Sequence, residues 1–111
     1  HLKINKESFD GWIRLALNHR YKKEYQIAID IYTFMLQNFE TNAGVAVELA
    51  ASYFENGETE KAEKMLLEIL EKRPKSGAKK ILSMLYNQTG RKEEAIKLAK
   101  EEEGSFTFSP E

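Results

Sequence analysis

The chain has 111 residues, enough for one domain with a modest core. Hydrophobic residues make up 41% and charged residues 32%, which argues against a disordered chain. Seventeen basic and 18 acidic residues leave a net charge of -1, without the positive excess that a nucleic-acid or anionic-membrane partner would need.

There is no cysteine, which excludes a disulfide framework and a thiolate zinc site. No apolar run approaches the roughly 18 residues of a membrane span. The start at His1 rather than Met, with no signal-peptide pattern, reads as a piece of a longer chain. The compartment is left open, with a cytoplasmic setting favoured. Two prolines and six glycines are few for a sandwich or barrel. Glu and Lys dominate the polar residues and both favour helices. The expected class is all-α.

Six helical stretches are predicted in chain order, at about 7–20, 24–39, 43–56, 59–72, 76–89 and 92–103. Gly57 and Gly90 stand where the third and fifth must stop, because glycine tolerates the left-handed conformation after a helix. Pro74 follows the fourth stretch at a place where a helix cannot continue. Glu60/Lys64, Glu68/Lys72 and Glu93/Lys97 lie four apart and are read as pairs on solvated faces.

The stretches repeat. Tyr53/Tyr86, Gly57/Gly90 and Ala62/Ala95 are each spaced by 33 residues, and Ala28/Ala62 by 34. Three copies of about 34 residues cover nearly the whole chain. Ala16, Ala50 and Ser83 are small on the first helices, and Ala28, Ala62 and Ala95 on the second, so paired helices can approach closely. Leu15, Leu49, Leu82, Tyr53 and Tyr86 are expected to fill the seams between pairs.

This pattern resembles the tetratricopeptide repeat over residues 7–103. The middle copy carries Leu49, Ala50, Tyr53, Gly57, Ala62, Leu66, Ile69 and Pro74. The third offers Leu82, Ser83, Tyr86, Gly90, Ala95 and Ala99, and the first Trp12, Leu15, Ala16, Ala28, Tyr32 and Met35. The first departs at Lys23, where the others hold glycine, and at Glu40, where the pattern holds proline. Its internal turn is therefore expected to be shaped differently. The resemblance implies an α-solenoid, a right-handed superhelical stack of three helix-turn-helix hairpins at about 9–42, 43–75 and 76–103. Residues 1–6 would lead in and 104–111 would form a tail.

Chemistry-bearing constellations are absent from the sequence. His1 is terminal, and His19 stands where the repeat places a bulky seam residue. Asp10 and Asp30 have no identifiable acid–base partner. Successive residues on a helix point in different directions, so Glu101, Glu102 and Glu103 read as a solvated helix end. No catalytic site, cofactor or metal is expected, and the protein is not expected to be an enzyme.

In arrays of the kind resembled, the first helix of each hairpin lines a concave groove. The resemblance places Ile13, Leu17 and Tyr21, then Val47, Ala51 and Phe54, then Lys80, Met84 and Asn87 on that inner face. Such a face is largely apolar, and contiguous exposed apolar surface commonly marks a partner. Intramolecular cover and self-association are the other readings of the same residues. Some relatives clamp acidic peptide C-termini with Lys, Asn and Arg. The matching places here hold Ile13, Leu17, Glu48, Gly77 and Ile81, so that role is not expected.

Gly104 is expected to cap the sixth helix. Phe106 and Phe108 would then alternate in an extended tail that is either loose or docked on a groove. The leading functional expectation is a scaffold module that binds an apolar helix or extended peptide, without nucleic acid and without membrane insertion. The competing expectations are a small chaperone or capping subunit that shields an aggregation-prone client helix, and a regulatory domain of a larger enzyme.

Overall fold

The computed structural model describes residues 3–74 and 76–107, with side chains described as far as Lys100. Six helices follow one another: α1 Lys6–Tyr21, α2 Tyr25–Asn38, α3 Ala43–Glu55, α4 Thr59–Lys72, α5 Ala78–Gln88 and α6 Lys92–Thr107. Each helix packs on the next in chain order, and α3 also meets α5. The molecule is elongated, 49 × 29 × 19 Å.

Helix starts are fixed by short polar side chains. The Asn5 side chain accepts from the Ser8 N–H at 2.7 Å, and that of Asn42 from the Gly44 N–H at 2.9 Å. The stops after α1, α3 and α5 share one geometry. The N–H groups of Glu24, Glu58 and Arg91 donate back to the carbonyls of His19, Tyr53 and Tyr86 at 2.8, 2.8 and 2.7 Å. This six-residue closure requires a left-handed residue just before the donor. Gly57 (φ 89°) and Gly90 (φ 82°) supply it in the later copies, and Lys23 (φ 65°) supplies it in the first. The expectation of a differently shaped first turn is thus corrected. The hydrogen bonds impose the same turn on a residue that adopts it at a cost.

Two apolar clusters form the core. One gathers Ala16, Ala28, Ile29, Tyr32 and Met35 of α1 and α2 around Val45 and Leu49 of α3. The other gathers Ala50, Ala62 and Leu66 of α3 and α4 around Ala78, Leu82 and Leu85 of α5, with Ala95 and Leu98 of α6. Five of the six small residues expected at helix crossings are buried. Ser83 is only half-buried.

Leu15 does not fill a seam. It is 43% exposed, whereas its counterparts Leu49 and Leu82 are 4% and 0% exposed. Those two pack against the preceding helix pair, and among the described residues no helix precedes α1. Gly104 does not end α6, which runs on to Thr107. Glycine costs a helix interior only about 0.5–1 kcal/mol, so it stops a helix only where the next turn rewards the left-handed conformation. Phe106 is therefore on helical backbone rather than in an extended tail, and Phe108 lies outside the described residues.

Candidate functional site

The first helices of the three copies, α1, α3 and α5, share one face, and a row of open cavities runs across it. The first cavity, about 360 Å³, is lined by Leu17, Arg20 and Tyr21 of α1 with Glu48 and Glu55 of α3. The next, about 280 Å³, is lined by Arg20, by Ala51, Phe54 and Glu55 of α3, and by Ile81, Met84 and Gln88 of α5. Arg20 and Glu55 belong to both. A third cavity shares Met84 and continues over Lys80 and Asn87. α2 and α4 contribute nothing to these walls.

Seven of the nine residues expected on the inner face line this row: Leu17, Tyr21, Ala51, Phe54, Lys80, Met84 and Asn87. Tyr21 is the most open of them, 87% exposed. Ile13 and Val47 are corrected. Ile13 packs against the first core cluster and Val47 is a buried member of the second. At about 100° per residue, one or two positions along a helix turn a side chain from groove to core. Phe54 also packs partly into the second cluster, so it serves groove and core together.

The face expected to be largely apolar is crossed by charge. Arg20 donates through Nε and Nη2 to the two Glu55 oxygens at 2.9 and 3.1 Å, and through Nη1 to Glu48. Its side chain is only 16% exposed. Burial by itself would lower its pKa, but hydrogen bonds and charge from Glu55, with help from Glu48, raise it above the ordinary arginine value. Bidentate pairing of this kind holds the guanidinium plane fixed. The Tyr32 hydroxyl is buried without a well-formed hydrogen bond, although it lies close enough to Arg20 to feel its charge. Burial raises its pKa. The cluster carries one net negative charge between the apolar patch at Leu17 and Tyr21 and the patch at Phe54, Ile81 and Met84.

A parallel arrangement lies at the other end. Arg91 donates to Glu63 at 2.7 Å and to Glu94 at 2.9 Å, and stacks 4.4 Å from the Tyr86 ring centre. Tyr53 has Lys61 over its ring at 5.0 Å. His19 stands at the same place in the first copy, and its Nδ1 lies 2.7 Å from a Glu24 carboxylate oxygen. That position is structural, tying the end of each first helix to the start of the second. The ion pairs that form fall elsewhere than the three read from the sequence.

Among the described residues, no three His, Cys, Asp or Glu side chains gather as a metal would require, and no helix is long and apolar enough to cross a membrane. Side chains of Glu101 to Glu103 lie outside the described residues. A family model described as a tetratricopeptide repeat matches residues 20–85. No curated protein and no solved structure matches the chain.

Proposed function

The chain belongs to the tetratricopeptide repeat family, whose repeats generally mediate protein–protein interaction, and from that premise we propose that it binds a protein segment along α1, α3 and α5. In this reading residues 9–42, 43–75 and 76–103 are three hairpins stacked in a right-handed superhelix. The segment is an apolar helix or extended peptide. The observation that carries the reading is that two adjoining cavities are walled by first helices alone. Leu17, Tyr21, Phe54 and Met84 offer apolar and aromatic contact, and methionine adapts its shape to what it meets. Members of the family are typically interaction modules rather than enzymes, and the reading follows that.

The test uses peptides selected from a random display library against the intact protein. Binding is then measured to Leu17→Glu, to Met84→Glu and to a control, Leu67→Glu, on the exposed side of α4. Leu17, Met84 and Leu67 are all partly exposed, so the folds should survive. A carboxylate desolvated in the groove without a cationic partner should weaken binding at least tenfold in the first two variants and leave the control unchanged. Folded groove variants that bind as tightly as the parent would refute the reading.

A further inference from the structure

Donors and acceptors are unequal in the Arg20 cluster. Arg20 gives its Nε–H and one N–H of Nη2 to the Glu55 oxygens, and one N–H of Nη1 to Glu48 Oε1. Each terminal nitrogen keeps a single further N–H. The carboxylates keep more. Among the described residues Glu48 Oε2 accepts no hydrogen bond, and the other three oxygens have accepted one each and can accept again. The Glu48 and Glu55 side chains are 44% and 38% exposed, whereas that of Arg20 is mostly buried. What the cluster turns outward is therefore spare acceptor and excess negative charge.

Glu48 and Glu55 stand two turns apart on one side of α3, with small Ala51 between them. Both line the first cavity beside Leu17 and Tyr21, and Glu55 also lines the second beside Phe54, Ile81 and Met84. Among the described residues Arg20 is the only cation on the walls of either cavity, and its charge is already paired. The open Tyr21 ring adds an aromatic face, which attracts cations. Two apolar places thus flank one place built to receive positive charge.

Resting on the groove reading above, we infer that the bound segment carries a basic side chain, lysine or arginine, on Glu48 and Glu55. One apolar side chain of the segment lies before it against Leu17 and Tyr21, and another beyond it against Phe54 and Met84. The basic group supplies the donors that the carboxylates lack and cancels the excess charge, while its methylene stem lies along apolar surface. An acidic segment meets like charge here, and reaching Arg20 would mean displacing a bidentate pair. A wholly apolar segment would desolvate Glu48 and Glu55 with nothing in return.

Peptides selected by display against the whole protein are the probes. Those weakened by Met84→Gln, a change that alters no charge, are taken as groove-bound, and they should be enriched in lysine or arginine over the starting library. Replacing that basic residue by methionine in the synthetic peptide should weaken binding about tenfold, and replacing it by glutamate should weaken it further. Glu48→Gln removes the excess charge but keeps the Arg20–Glu55 pair, and Glu48 is half-buried, so the fold should survive. In that variant the peptide's basic residue should matter by roughly twofold at most. Salt gives a second reading that needs no variant: from about 0.05 to about 1 M, the gap between the basic and methionine peptides should narrow through screening. Groove-bound peptides without a basic residue would overturn the inference and leave the groove reading standing. So would a basic preference unchanged by both Glu48→Gln and salt. Selected peptides indifferent to Met84→Gln would overturn both.

Discussion

Lys23 occupies the left-handed turn that Gly57 and Gly90 occupy in the later copies, and replacing it with glycine should stabilise the protein. The left-handed region costs an L-residue about 1–2 kcal/mol through the clash of Cβ with the following carbonyl. Glycine escapes that cost but loses about 0.4–1 kcal/mol more entropy on folding. The difference favours Lys23→Gly by about 0.5–1 kcal/mol. The turn itself should not change, because the Lys23 and Glu24 N–H groups already donate to Arg20 and His19 at 2.9 and 2.8 Å, as glycine's turn requires. Urea denaturation followed by circular dichroism should show a higher midpoint at unchanged slope, and the thermal midpoint should rise by roughly 2–4 °C. The reciprocal variant, Gly57→Lys, should lose a similar amount. A Lys23→Gly protein no more stable than the parent, or a Gly57→Lys protein of undiminished stability, would show that backbone strain is not what separates the three turns.

Ala62 is fully buried where α3, α4 and α5 meet, so Ala62→Leu should overpack the site and cost about 1–3 kcal/mol; an unchanged denaturation midpoint would contradict the packing described. The pH dependence should carry a signature of Glu94, whose pKa is lowered chiefly by its hydrogen bond to Arg91. A carboxylate with a depressed folded pKa contributes stability above its unfolded pKa and loses it as pH falls through the folded value. Stability of the parent should therefore fall on acidification below the usual carboxylate range, and Glu94→Gln should show a smaller fall when thermal midpoints are compared across that window.

The helices, their pairing in sequence and most of the crossing residues were legible because they depend on the repeat itself. A spacing of 33 or 34 carries Ala28 to Ala62 and Ala95, and all three are buried. The first turn was misread because the position was judged by residue type. Lys23 departs from glycine, yet the hydrogen bonds of the surrounding helix ends dictate the same backbone. The groove was misread for another reason. Arg20 meets Glu48 and Glu55 across 28 and 35 positions, so no search for pairs three or four apart could find it.

Leu15, Leu49 and Leu82 show what a repeat pattern leaves out. The three are the same residue in the same register, but one is open and two are buried. Their burial is a property of the helix pair that precedes them, and a repeat unit specifies only half of each joint. The same holds for Ile29 and Ile96, with the direction reversed, since the second depends on a pair that would follow. Sequence similarity among copies therefore fixes the internal joints and says nothing of the terminal ones. Substituting Leu49 and Leu15 in turn separates the two meanings: the first removes an internal contact, the second touches a surface that is open among the described residues.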